Sequence, residues 1–154
     1  MHIPHYKALI LRKTFPQLAE LIDKSLNYYP RAYPKARYNG SSHTWTFPSG
    51  AKIIFGAMQH TKDRTKYQGQ AYDFIAFDEL THFTFEEYSY LFSRNRPNGP
   101  GTRVYIRASA NPGRICPLTQ QCVLIIEEKI WKAKTNVMLI RGEGPQGPAA
   151  THRG

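Results

Sequence analysis

Asp78 and Glu79 stand side by side at the end of the apolar run in YDFIAFDE, and Asn111 stands two residues after Ser109 at the end of TRVYIRASAN. An unpaired ionised carboxylate in a dry core is costly or titrates away, so both acids belong where the apolar run leaves the core. An Asp at such a point suits a hard divalent cation, and a neighbouring carboxylate suits the orientation and deprotonation of a water. An Asn can hydrogen-bond a phosphate without adding charge. Together these groups fit hydrolysis of a magnesium-bound nucleotide such as ATP. The same acidic pair also fits a helix amino terminus, where a carboxylate gains a few tenths of a kcal/mol from the dipole. Helix capping does not account for the second strand ending in Ser-Ala-Asn-Pro, which favours the nucleotide reading.

Placing these groups requires strands, and punctuation in the sequence marks them out. KALILR (7–12) reads as a buried strand, with Arg12 at its end facing a nucleotide or pairing with a nearby acid. TFPQLAELIDKSLNYY has Thr14 as N-cap, Pro16 in the first turn and Leu18, Leu21, Ile22 and Leu26 on one face, which predicts a helix ended by Pro30. A turn-rich stretch follows to Asn39-Gly40. HTWTFPSGAKIIFGAM predicts a hairpin about Pro48-Ser49-Gly50, and QHTKDRTKYQGQ a polar basic loop. YDFIAF is the next strand, buried from Tyr72 to Phe77. Thr84 with Glu87 forms a capping box that opens a helix stopping before Pro97. TRVYIRAS is a further strand. Strands separated by helical segments predict an α/β fold with a mainly parallel sheet flanked by helices and decorated by an antiparallel hairpin. Chemistry in such sheets collects beyond the carboxyl ends of the strands, where both tips would meet.

The 154 residues suffice for one domain with a core, and 41% hydrophobic content is that of a globular chain. No apolar stretch approaches a membrane span, and MHIPHYK lacks a signal-peptide core, so a cytoplasmic setting is expected. Cys116 and Cys122 form neither a disulfide framework nor a metal clip, and six scattered histidines show no ligand spacing. A formal charge of +10 favours polyanionic partners over acidic or neutral ones. Tyr28, Tyr29, Tyr33 and Tyr38, interleaved with Arg31, Lys35 and Arg37, suit either nucleic-acid stacking or packing on their own domain.

In order, KALILRKT, WTFPSGAKIIFGA, KYQGQAYDFIAFDELTHF and RASANPG resemble the ATPase domain of tailed-phage terminase large subunits, over about Lys7 to Gly113. The resemblance implies a P-loop NTPase-like (ASCE) fold, incomplete here, and a role in ATP-driven packaging of viral double-stranded DNA into a procapsid. It implies that Asp78 binds Mg²⁺ through the nucleotide, that Glu79 is the catalytic carboxylate, and that Asn111, with Ser109 beside it, links the γ-phosphate to domain movement. The family also places a basic residue near the Gly of its YQG segment, acting on a neighbouring subunit's ATP. Gln68 precedes Gly69 here, and Lys66 and Arg64 are the nearest basic residues. The portal protein, the small terminase subunit and further copies of the large subunit are the implied partners, and the host cytoplasm the implied location.

Two departures accompany the resemblance. No GxxxxGK[ST] occurs in the chain, so the backbone cradle and lysine that hold the β- and γ-phosphates are missing from it. After Gly113 the chain lacks acidic clusters suited to the family's nuclease. Residues 1–113 are therefore expected to be a partial ATPase domain without its phosphate loop, inactive alone. Residues 114–154 are expected to be a divergent, partly disordered tail, produced by a frame change near Arg114 or by ordinary divergence. A helicase-like ATPase is a second reading, weakened because DELT lacks the DEx[DH] continuation. A non-catalytic basic module that binds DNA or a partner is a third.

Overall fold

The computed structural model describes residues 2–110 and 138–141. β1 (Lys7–Arg12) lies between β4 (Lys52–Ala57) and β5 (Phe74–Phe77) and is parallel to both. Its residues alternate between two cores. Leu9 and Leu11 join one cluster with Ile75, Phe77, Ile106, Tyr88 and Leu91, while Ala8 joins the other with Leu18, Trp45, Ile53 and Phe55. Burying each such Leu or Phe contributes about 1.5–3 kcal/mol, which fixes the register of the central strands.

The described strands form one sheet in the order β2-β3-β4-β1-β5-β6-β7. β6 (Tyr105–Ala110) and β7 (Met138–Arg141) continue it in parallel beyond β5. β2 (Arg37–Asn39), β3 (Thr44–Thr46) and β4 form the antiparallel edge. The predicted hairpin is therefore present. Its turn closes with the Gly50 N–H donating to the Phe47 carbonyl at 2.9 Å, and Gly50 takes φ +80°, where a side chain would be strained. β2 is an addition to the sequence reading, which left Arg37–Asn39 in a turn-rich stretch; three residues with one half-buried position carry too little pattern to mark a strand. β7 falls in the stretch read as a tail, whereas 123–134 lie outside the described residues.

Connections run both ways along the sheet, so right-handed crossovers put helices on both faces. α1 (Phe15–Ala32) follows β1 and covers the Trp45 core through Leu18, Leu21 and Ile22. α2 (Phe85–Phe92) joins β5 to β6 on the opposite face through Tyr88 and Leu91. α1 does not end at Pro30 as expected but runs through it to Ala32. Proline withdraws one donor there, while the Tyr33 N–H still closes onto the Tyr29 carbonyl at 2.7 Å.

The strand expected from Tyr72 is shorter. It covers Phe74–Phe77, with Ile75 and Phe77 buried and Phe74 and Ala76 half-buried on the α1 side. The basic stretch expected as a loop is a 3-10 helix, Thr61–Tyr67. Tyr67 anchors it: the hydroxyl donates to the Ala57 carbonyl at 3.1 Å, and a Cβ on Gly56 would collide with that hydroxyl. Among the described residues no helix is long and apolar enough to cross a membrane.

Candidate functional site

Parallel pairing brings the carboxyl ends of β1, β5 and β6 to one sheet edge, and each delivers one polar side chain there. Arg12 ends β1, Asp78 follows β5 directly and Ser109 lies near the end of β6. The Asp78 N–H completes the ladder to the Leu11 carbonyl at 2.9 Å, which fixes the point where the acid emerges. Its two carboxylate oxygens take different partners. Arg12 Nε donates to Oδ2 at 2.5 Å, and the Ser109 hydroxyl donates to Oδ1 at 2.6 Å. A second Arg12 nitrogen donates to the Gln17 carbonyl in the first turn of α1 at 3.3 Å. The side chains of Arg12 and Asp78 keep 20% and 24% of their surface exposed, so solvent and solutes reach the pair.

Glu79 turns the chain back. It sits at φ +59°, ψ 60°, the left-handed region that costs a non-glycine residue about 1 kcal/mol or more. Two contacts hold it there: its N–H donates to the Ser109 hydroxyl at 3.1 Å, and its carbonyl accepts the His82 N–H at 3.0 Å. The strain has a cause in the adjoining residues, because Leu80 and Phe83 re-enter the core at once and Phe83 packs edge-on against Phe77 at 5.2 Å. The Glu79 side chain is half-buried, and none of the ion pairs among the described residues engages its carboxylate.

Asp78 and Ser109 open into a cleft of about 250 Å³ on the α1 side, walled by Ile10, Leu21, Ala76 and Arg107. Arg107 was not singled out in the sequence reading. The signal for it is its spacing, since two residues before Ser109 on a strand means the same face.

Behind the edge lies a second charged group. Lys13 Nζ contacts both oxygens of Glu87 at 2.8 Å, and Glu87 is fully buried. Glu87 also accepts the Thr84 N–H at 2.9 Å in the predicted capping box, and the Thr61 hydroxyl at 3.4 Å. Within its own helix Glu87 is explained by the capping box, whereas its pairing with Lys13 spans 74 positions. This carboxylate therefore ties β1, α2 and the basic 3-10 helix together.

Of the predicted site residues, Arg12, Asp78, Glu79 and Ser109 converge, with Arg12 paired to Asp78. Asn111 lies outside the described residues. Lys66 and Arg64 lie instead on the 3-10 helix, Lys66 bonded to Asp63 at 3.1 Å and Arg64 to Glu86. Among the described residues no cluster of His, Cys, Asp and Glu could hold a metal on its own.

The mostly parallel α/β sheet, with an Asp, a Glu, a Ser and an Arg at its carboxyl edge, is consistent with a P-loop-like fold. Residues 3–114 match the family model described as terminase large subunit, T4likevirus-type, N-terminal, and the chain belongs to that family. Among solved structures, the large terminase of a thermophilic bacteriophage superposes with a TM-score of 0.65 at 14% identity, covering 90% of this chain and 33% of that one. The HK97 bacteriophage large terminase gives a TM-score of 0.63 at 10% identity over 96% of this chain and 30% of that one. A third, from the same thermophilic phage and in complex with ADP, gives 0.58 at 14% identity over 90% and 33%. At these identities the likeness is one of fold, and the chain spans about a third of those proteins. A search among curated proteins found no match.

Proposed function

We propose that this chain is the part of a terminase large subunit that carries its hydrolytic carboxylates, serving ATP hydrolysis that drives viral double-stranded DNA into a procapsid. One observation carries the reading: Asp78, at the carboxyl tip of β5, is held between side chains from the two flanking strands.

The donor set fits Mg²⁺ arriving with a nucleotide rather than a resident ion, because one carboxylate and a hydroxyl leave most of an octahedral shell to phosphate and water. Bound there, the ion would neutralise charge on the transferring phosphoryl group. Asp78 and Ser109 would hold it, with Arg12 as the counter-charge that orients Asp78 before it arrives. Glu79 would take the proton of the attacking water. Arg107, on the cleft wall, would add positive charge beside the phosphates. Asn111 would hydrogen-bond the γ-phosphate and report its presence. Lys66 or Arg64 would act on a neighbouring copy's ATP, Arg64 only after leaving Glu86. The portal protein and small terminase subunit are the partners this role requires, and the host cytoplasm is its setting.

In a large subunit that joins this segment to a phosphate-binding loop, Asp78→Asn should weaken Mg²⁺-dependent ATP binding at least tenfold, measured with a fluorescent nucleotide. Binding unchanged by that substitution would remove Asp78 from the site.

A further inference from the structure

Glu87 is a buried charge that the proposed hydrolysis leaves without a task. Its side chain keeps 1% of its surface exposed, although a capping-box glutamate needs no burial to reach back to the start of its own helix. Burying an ion pair carries a large desolvation cost, and an apolar pair of similar volume is often as stabilising, so stability alone gives no reason for it. Position does. Oε1 accepts Lys13 Nζ at 2.8 Å and the Thr61 hydroxyl at 3.4 Å, while Oε2 accepts Lys13 Nζ at 2.8 Å and the Thr84 N–H at 2.9 Å.

Lys13 follows Arg12, and consecutive side chains of extended chain leave on opposite faces. Arg12 goes to Asp78 on the α1 side, and Lys13 goes to Glu87 in the first turn of α2. Lys13 Nζ also lies 5.7 Å from the Phe83 ring centroid. These contacts bracket the turn that carries Glu79. Asp78 stands directly before Glu79, and at the other end the Phe83 N–H donates to the Leu80 carbonyl at 3.0 Å. Glu79 itself holds φ +59°, a conformation that persists only where the surroundings over-determine it. Ser109 fixes its N–H from β6, and the Lys13–Glu87 pair fixes the far end of the same turn to β1.

We propose that Lys13 and Glu87 are positioning residues for Glu79: their ion pair clamps the turn from Glu79 to Thr84 against the end of β1 and thereby sets where the Glu79 carboxylate stands. The clamp rests on these contacts, and its effect on hydrolysis rests on the proposed role of Glu79 as the base. Lys13, with both Glu87 oxygens on its ammonium, is engaged in the clamp rather than in holding phosphate.

Lys13→Met combined with Glu87→Gln removes both charges at nearly constant volume and leaves no unpaired ion in the core. In the 154-residue chain without nucleotide, amide hydrogen exchange at Glu79, His82 and Phe83 should quicken about tenfold or more, while Leu9 and Ile75 in the central strands keep their wild-type rates. In a large subunit that contains this segment and a phosphate-binding loop, single-turnover ATP hydrolysis should fall about tenfold or more with the Kd for Mg²⁺-ATP within about threefold of wild type, because a small misplacement of a reacting group is costly. Lys13→Arg, which keeps the charge, should hydrolyse ATP within about threefold of wild type. Glu87→Asp keeps the pair but shortens its reach, so it should quicken the same amides and serves where the double variant does not fold. Exchange quickened equally at Leu9 and Ile75, or unchanged at Glu79, would overturn the clamp. A raised Kd with unchanged turnover would also overturn it, by making Lys13 a nucleotide ligand. Wild-type hydrolysis by Glu79→Gln, with exchange in the double variant still quickened only in the turn, would instead remove Glu79 as the base and leave the clamp standing.

Discussion

β5 carries an aspartate at each end, and the two are held in opposite ways. Asp73 precedes the strand, is fully buried, and accepts the Lys7 N–H at 2.8 Å and the Asn98 N–H and side-chain amide at 2.9 Å each. Asp78 follows the strand, is partly exposed, and is held by a guanidinium and a hydroxyl. Backbone amides cannot swing away without undoing the fold, whereas side-chain donors can rotate off when another cation arrives. The amino-end acid is thus built into the structure, locking the loop through Asn98 to β1. The carboxyl-end acid is held by side chains from the two flanking strands.

The largest effect that would separate them is on stability. Asp73→Ala leaves two backbone N–H groups and an amide without their acceptor and should cost about 3 kcal/mol. Thermal unfolding should then show a Tm lower by roughly 10 °C or more. Asp78→Ala, at a partly exposed site, should cost less than about 1 kcal/mol. Equal costs would erase the distinction between the two ends.

A pH titration sharpens it. Burial alone would raise the Asp73 pKa, but the hydrogen bonds from Asn98 and the Lys7 amide outweigh it and hold the group below its ordinary 3.8. A depressed folded pKa contributes stability that is present above 3.8 and lost as pH falls through the lower folded value. Wild-type stability should therefore fall more steeply than that of Asp73→Asn in this acidic window. Parallel curves would mean that the hydrogen bonds do not favour the ionised form.

A smaller effect is expected at Glu79. Glycine accepts the left-handed backbone without strain, so Glu79→Gly should leave stability unchanged or raise it by up to about 1 kcal/mol. A clear loss of stability in chemical denaturation would show that the side chain, not the turn, holds that position.

Much of this was legible in the sequence because it is local. The apolar run ending in Asp78-Glu79, the hairpin about Gly50 and the Thr84–Glu87 capping box are each set by neighbours within a few residues. What escaped is what distance supplies. The pairing of Arg12 with Asp78 spans 66 positions and could be left only as one of two options. Asp73 passed as part of an apolar strand, since nothing near it announces the amides of Lys7 and Asn98. The 3-10 helix reads as a polar loop because its order comes from Tyr67 reaching into the core over Gly56. Pro30 misled for a different reason: a breaker in the last turn removes one bond and not the helix.

The most direct test of the central claim is hydrolysis and binding measured together for Glu79→Gln in a large subunit that contains this segment and a phosphate-binding loop. A general base is worth about 100-fold or more, so single-turnover ATP hydrolysis should fall at least that far while the Kd for Mg²⁺-ATP stays within about threefold of wild type. Hydrolysis within threefold of wild type would contradict the assignment of the β5 carboxyl edge as the catalytic site.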